Sequence, residues 1–483
     1  MPHTTPLKLY NSLTRKTEVF HPVHKGQAKV YSCGPTVYNY PHIGNMRAYV
    51  FADTLGRTLS LKGYALTHVI NITDVGHLTD DADAGEDKLE KAAAASTQSI
   101  WDIAKHYTEA YWADIAALNI REPAHWSIAT DYVPQMIEFA ETIAAQHCYE
   151  LDSGLYFDVS SIDQYGSLAR HKTDDLEGRI DSVDGKRQPQ DFAIWRKTPP
   201  GEKRQMEWDS PWGKGAPGWH LECSVMSEKL LGLPFDIHTG GIDHREIHHP
   251  NEIAQNQAFC GAGGHACGSG ANIWMHNNFL IDRTGKMSKS SGEFLRLPLL
   301  IEKGVHPLAY RLMCLQAHYR SELEFSWDNL AAALTRLKRL VLGAQKLKEH
   351  EDERDISHPL ILQAKADFEA AMSDDLNTPK ALITVEQVIA MKRVCDGDRY
   401  RLVMQMDEVL GLDLLHLDRE DLRIRPADAQ LTEEEVLARM MERQAARDER
   451  DFERSDRIRD ELTDAGIELM DGDPLGWEWK LSL

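Results

Sequence analysis

Residues 28–33 (Ala-Lys-Val-Tyr-Ser-Cys) read as a strand, and from His42 the apolar residues Met46, Val50, Phe51, Leu55 and Leu59 recur at helical spacing. The segment P-H-I-G-N at 41–45 therefore falls in a strand-to-helix turn. A second apolar run from Leu66 to Ile72 ends in Thr73-Asp74 and predicts another strand. Strand, helix, strand in this order is the pattern of a parallel nucleotide-binding sheet, whose ligands lie at the carboxyl ends of the strands, where Cys33 and Thr73 fall. Residues 120–205 break the rhythm with a polar, turn-rich stretch at 172–191, as an insertion does. The sheet is expected to resume near Trp219, with a strand over Phe235–His238, a tight turn at Gly240-Gly241 and a helix that Pro250 opens.

Beyond Ser326 the pattern becomes helical. Ser326 can cap a helix carrying Leu330, Leu334, Leu337 and Val341, and Thr378-Pro379 opens another. Thr432 and Glu435 form a capping box, and the helix they open is expected to run to Ile458 and Leu462, before a compact tail with Trp477 and Trp479. No internal repeat or low-complexity tract interrupts the chain.

Length and composition narrow the class. A chain of 483 residues exceeds one hydrophobic core, so two to four packed domains are expected. No apolar run is long enough to span a bilayer and residues 1–5 lack the layout of a secretory signal, so a cytoplasmic protein without membrane contact is expected. Seven cysteines, at 33, 148, 223, 260, 267, 314 and 395, are odd in number and thinly spread, which predicts reduced thiols. The net charge of -22 excludes a protein that holds nucleic acid by bulk attraction, so such a partner must be met by local basic patches.

Two signatures carry phosphate chemistry. At His42 a helix N-terminus offers amide donors and partial positive charge, Gly44 lets a phosphate approach the backbone, and imidazole can donate to phosphate oxygens. Downstream, K-M-S-K-S at 286–290 places Lys286 and Lys289 in a cationic loop able to neutralise a departing pyrophosphate. An incidental turn and a solvated lysine loop are the bland readings of each alone; together, in one sheet domain, they predict a nucleotide site. Cys260, His265 and Cys267 match no familiar ligand spacing and predict a surface loop.

The chain resembles the class I aminoacyl-tRNA synthetases, and among them the cysteinyl-tRNA synthetases. The resemblance rests on Y-S-C-G-P-T-V-Y at 31–38, N-I-T-D at 71–74, G-W-H-L-E-C-S at 218–224, H-H-P-N-E-I-A-Q at 248–255, W-M-H at 274–276, the lysine loop, and D-D-L-N-T-P at 374–379. It implies an α/β fold: a Rossmann-like parallel-sheet catalytic domain (1–119 and 206–265), an inserted connective domain (120–205), a lysine-loop and stem-contact region (266–325), a helical bundle (326–405) and an anticodon-binding domain (406–483).

It also implies residue roles. Zinc is assigned to Cys33, Cys223, His248 and Glu252, the amino-acid pocket to Thr73 and Trp219, the ribose to Asp243, and the phosphates to His42, Asn45, Lys286 and Lys289. Asn45 stands where the commonest signature has a second histidine, and an amide can still donate to phosphate. The implied substrates are L-cysteine, ATP with Mg2+ and tRNA(Cys), and a monomer is expected.

The zinc has a physical case of its own. A hydrophobic pocket separates substrates differing by one small group only about a hundredfold, and serine differs from cysteine by one atom. Zinc binds thiolate strongly, so coordination discriminates where packing cannot. Four protein ligands ordinarily mark a closed structural site; the resemblance implies a metal that accepts substrate sulfur as a further ligand. Pro250 disfavours a helix at His249, so His248 is expected just before the helix and Glu252 in its first turn, with His249 a rival ligand. In the tail, Arg443, Arg447, Arg454, Trp477 and Trp479 could meet an anticodon by charge and stacking, though interspersed acids also suit an ordinary solvated face. Two rivals remain: a ligase passing cysteine to an amino sugar in mycothiol synthesis, which needs no anticodon reader, and a catalytically silent tRNA-binding paralogue.

Overall fold

The computed structural model describes residues 5–75, 99–169, 183–264, 267–282, 285–286, 295–348, 358–473 and 475–483. A hairpin of β1 (Lys8–Asn11) and β2 (Lys16–Val19) precedes β3 (Gln27–Ser32), α1 (Ile43–Leu61), β4 (Ala65–Ile72), α2 (Ile100–Ala117), β5 (His125–Ile128) and α3 (Val133–His147). Next, β6 (Cys148–Leu151), β7 (Gly154–Phe157), β8 (Phe192–Lys197) and β9 (Gly215–Pro217) form a separate antiparallel sheet in that order. The chain then returns through α4 (Trp219–Leu231), β10 (Phe235–Gly241), α5 (His248–Ala262) and β11 (Ala271–Asn277).

The result is a five-stranded parallel sheet in the order β11-β10-β3-β4-β5. Its strands β4 and β10 are buried along most of their length because helices cover both faces, and their polar side chains, Asp236, His238 and Asn71 among them, are buried with them. From β3 the chain winds outward to β4 and β5, then returns to the other side with β10. The order thus reverses between β3 and β10, and a ligand crevice opens beyond their carboxyl ends.

Beyond the sheet, β12 (Leu280–Asp282) pairs with β13 (Gly285–Lys286) and, past α6 (Leu297–Glu302) and α7 (Pro307–Leu315), with β14 (Leu323–Glu324). Four helices follow: α8 (Trp327–Lys348), α9 (Pro359–Ser373), α10 (Thr378–Ala390) and α11 (Asp396–Leu410). Ser326 caps α8, its Oγ accepting from the Asn329 N–H at 3.1 Å. The last elements are α12 (Glu433–Asp448), α13 (Phe452–Asp464), β15 (Ile467–Leu469) and β16 (Trp477–Trp479). They enclose their own core of Val436, Ile458, Leu462, Ile467, Trp477 and Trp479, distinct from the core that runs from Leu7 to Leu422.

Several expectations are corrected. The parallel sheet resumes at Phe235, because Trp219 opens a helix. Gly240 and Gly241 end β10 in register with His276 and Asn277 instead of turning. A Cβ at Gly240 would come within 2.7 Å of both His244 Nδ1 and His249 Cε1, so close packing of imidazoles selects glycine there. Helix α5 starts at His248, two residues before Pro250, since a proline in the first turn forfeits only an N–H that has no intrahelical acceptor. The helix opened by Thr432 and Glu435 stops at Asp448: Arg450 takes a left-handed φ of 62°, and Asp451 caps a new helix by accepting from the Arg454 N–H. Strands β5 and β11 lie outside the spans expected for the catalytic domain yet belong to its sheet, and α11 crosses residue 405. Cys260 and Cys267, expected as reduced thiols in a surface loop, are buried and joined in a disulfide.

Candidate active site

The crevice is a cavity of about 310 Å³. Cys33 enters it from the end of β3, Thr73 from the end of β4, Trp219 and Cys223 from the first two turns of α4, and His248 from the start of α5. Asp243 lines it from the bend after β10, and His42, Gly44 and Asn45 from the N-terminus of α1. Glu252 is fully buried behind His248.

At the inner end, one ligand atom from each of Cys33, Cys223, His248 and Glu252 lies within 4.8 Å of the others. Because α5 is continuous through Pro250, His248 and Glu252 share a face at i,i+4, with Nε2 and Oε1 3.0 Å apart. That contact lacks hydrogen-bond geometry, so Glu252 Oε1 is a buried carboxylate oxygen without a donor. Two sulfurs, an imidazole nitrogen and an orphaned carboxylate oxygen, converging in a buried space, are a donor set that fits zinc. Cys33, His238, His249 and Glu252 meet the same distance criterion, so His249 stays within reach of a metal.

The ionisation shifts divide the four donors: Cys33 and Glu252 are pushed toward the anions that a metal binds, whereas Cys223 and His248 are pushed toward protonated forms that must release a proton before ligating. Burial opposes ionisation of Cys33, but a hydrogen bond from Cys223 and the His244 and His249 imidazoles bring it well below the ordinary thiol value. Cys223, donating to Cys33 and buried near Glu252 and Glu222, is raised well above it. Burial likewise opposes charge on Glu252, yet His238 and His248 hold its pKa at about 2. His248, against its own burial, is raised to about 10 by Glu252 and Cys33.

His220 and Glu222 lie within the 218–224 motif and His238 in β10, yet none of the three has a role that the sequence exposes. His238 Nε2 lies 2.8 Å from Glu252 Oε2, and His220 Nδ1 lies 2.8 Å from His248 Nδ1, so both candidate ligands are oriented from behind. Thr73 donates to Glu222 at 2.9 Å; burial raises Glu222 to about 8 even though Thr73 opposes the shift. The available signal is that His220 and Glu222 flank Leu221 in α4 and His238 follows Ile237 in β10, polar residues set beside apolar ones and buried with them. Trp219 is half-buried, its ring 4.3 Å from that of His248.

At the outer end, His42 and Asn45 form a reciprocal cap. Asn45 N–H donates to His42 Nδ1 at 3.3 Å and His42 N–H to Asn45 Oδ1 at 3.2 Å, which places the ring proton of a neutral His42 on Nε2. A Cβ at Gly44 would lie 2.8 Å from His42 Cε1 and 2.9 Å from Nδ1. Replacing Gly44 by alanine should therefore displace the imidazole and cut cysteine-dependent pyrophosphate exchange about tenfold or more, with zinc content unchanged. Metal analysis beside the exchange assay checks this. Lys286 pairs with Ile281 in the antiparallel β12–β13 register, while Lys289 lies outside the described residues. The tail aromatics are corrected: Trp477 and Trp479 are buried in the terminal core, and Arg443 is paired with Asp471, leaving neither ring to stack on a base.

The fold is a parallel sheet whose strand order reverses at the cavity, with the capped N-terminus of α1 lining that cavity. Residues 19–335, more than half the chain, match the family described as tRNA synthetases class I (C) catalytic domain. Cysteine--tRNA ligase of Novosphingobium aromaticivorans is 69% identical over 99% of this chain and 98% of its own length, and that of Zymomonas mobilis is 55% identical over 99% and 98%. The chain belongs to the cysteine–tRNA ligase family. Methionyl-tRNA synthetase of Mycobacterium tuberculosis, solved with methionyl-adenylate, shares the fold with a TM-score of 0.54 at 14% identity, covering 84% of this chain and 97% of that one.

Proposed function

We propose that this chain joins L-cysteine to ATP, forming cysteinyl-adenylate, and transfers the cysteinyl group to the terminal adenosine of tRNA(Cys). The observation that carries the reading is one cavity shared by the Cys33, Cys223 and His248 end and the His42, Gly44 and Asn45 end. Those three donors face the cavity, whereas His238 and His249 do not line it, which favours Cys33, Cys223, His248 and Glu252 as the zinc ligands. Held there, zinc would accept the substrate thiolate and so distinguish sulfur from oxygen by bonding. Thr73 and Trp219 position the amino acid. Its carboxylate attacks the α-phosphorus of ATP, the bond to the bridging oxygen breaks, and pyrophosphate leaves.

The Gly44 N–H and His42 Nε2–H meet the phosphates, helped by the Asn45 amide, and Lys286 and Lys289 take up the charge of the leaving group with Mg2+. Asp243 accepts from the ribose hydroxyls. The tRNA 2′-hydroxyl then attacks the cysteinyl carbonyl and AMP departs; a phosphate oxygen of the adenylate can take the proton. Positioning and charge neutralisation supply the rate. Among the described residues no helix is long and apolar enough to cross a membrane, and we place the enzyme in the cytoplasm as a monomer.

The test is cysteine-dependent exchange of labelled pyrophosphate into ATP by metal-replete protein, followed by charging of tRNA(Cys) and, separately, of glucosaminyl inositol. Exchange with charging of tRNA alone is expected; no exchange, or ligation only to the sugar, would overturn the reading. Ending the chain after about residue 428 removes the terminal core and should spare exchange while impairing charging. Ending it at 405 should abolish both, because Glu408 O and Leu410 O accept from Arg57 on α1 and Arg311 on α7.

A further inference from the structure

Arg47 lies on α1 one turn beyond the His42 cap and is 2% exposed. Among the described residues its guanidinium has no carboxylate within ion-pair distance. It donates instead to main-chain carbonyls: Nη1 to Asn278 at 2.9 Å and to Phe279, Nη2 to Ser321 at 2.5 Å and to His318 at 3.4 Å. These carbonyls come from two segments. Phe279 immediately precedes β12, which pairs with β13 (Gly285–Lys286), and Ser321 precedes β14, which pairs with β12 on its other side. The same Phe279 oxygen also accepts from Leu323 N–H at 3.1 Å, so one guanidinium fastens the roots of both strands to α1. Where the chain leaves the lysine segment, Leu295 O accepts from Ile43 N–H at 2.9 Å, and the Arg296 guanidinium lies 4.4 Å above the Tyr40 ring. Entry to and exit from the lysine segment are thus both tied to the first two turns of the helix whose N-terminus faces the phosphates.

A buried guanidinium hydrogen-bonded only to carbonyls, with the Glu322 charge nearby but outside ion-pair distance, is a costly way to hold two backbones together, and an apolar side chain would fill the volume without desolvating a charge. What the planar fork adds is fixed direction toward several acceptors at once. We infer that Arg47 is a positioning residue for the activation step, fixing the strand that carries Lys286 relative to the phosphate end of α1. The inference rests on the proposed function, since it acts through Lys286.

The test is a double-mutant cycle on the full-length, zinc-loaded chain, comparing Arg47→Met, Lys286→Ala and the pair in pyrophosphate exchange. Misplacing a reacting group by about 1 Å can cost about a hundredfold, so Arg47→Met should lower kcat by about ten- to a hundredfold while KM for cysteine and zinc content stay within about twofold. The pair should be no worse than the more damaged single variant by more than about twofold, because acting through Lys286 makes the losses overlap. Arg47→Lys, which keeps the charge and loses the fork, should recover part of kcat; should the methionine variant fail to fold, the same cycle is read with lysine. Losses that multiply, or equal damage to KM for cysteine and zinc content, would overturn the inference. Absence of exchange in the unaltered chain would instead sink the proposed function itself.

Discussion

Replacing Cys223 by serine should strip zinc from the protein and reduce its preference for cysteine over serine to at most about a hundredfold, the limit of a pocket that works by shape. The substitution removes one of two sulfurs among four donors and leaves a hydroxyl, which stays protonated near neutral pH and is a poor zinc ligand. Cys33, His248 and Glu252 remain, with Glu252 still oriented by His238 and His248 by His220. The loss should therefore appear in metal content and amino-acid selection before it appears in folding. Cys148, a half-buried thiol on β6 outside the cavity, is the control: its serine variant should keep both properties. Metal analysis with exchange rates for cysteine and serine reads the outcome. Zinc retained together with unchanged rejection of serine would show that Cys223 is not a ligand.

What the sequence disclosed and what it hid divide along the range of the interactions. The strand ending at Cys33, the helix from His42, the Ser326 cap and the Thr432–Glu435 box are set by neighbours within a few residues, and all are found. Pro250 misleads because its bias against helical geometry at the preceding residue is only a preference: His249 is helical all the same, in a first turn where the missing proline N–H costs no hydrogen bond. Gly240 misleads in the opposite direction: its small size serves a contact with His244 and His249, and nothing nearby in the chain distinguishes that from a turn. The Thr432 helix ends early because Arg450 and Asp451 reset the backbone within one turn, a break that periodicity alone passes over. The imidazoles behind His248 and Glu252 stay silent for a related reason. His238 and Glu252, or His220 and His248, pair across elements, and a lone histidine in an apolar strand carries no record of its partner.

The same distance in sequence conceals Asp53, where the largest loss of stability is expected. Asp53 is buried on α1 with Arg57 at 2.7 Å, Arg311 at 2.6 Å and Arg121 at 3.6 Å, so one carboxylate faces three guanidinium groups. The excess positive charge is met by backbone carbonyls: Glu408 and Leu410 at the end of α11, and Leu118 and Asn119 after α2. The C-terminal carbonyls of a helix lack intrahelical donors and carry the negative end of its dipole, so α11 complements the cluster and is locked to the catalytic domain by it. Asparagine matches the volume of aspartate but not its charge. Asp53→Asn should cost about 3–5 kcal/mol, the usual penalty for removing one partner of a buried ion pair. Burial would raise the Asp53 pKa, but Arg311 and Arg57 bring it below the ordinary carboxylate value. A carboxyl depressed in the folded state stabilises fully above its unfolded pKa of about 3.9, and the contribution fades as pH falls through the lower folded value. Urea unfolding of the two proteins should thus show a constant gap from about pH 8 to about pH 5 that narrows below about pH 4. A gap under about 1 kcal/mol at neutral pH would mean that the carbonyls of α11 and Asn119 balance the guanidinium charge without Asp53.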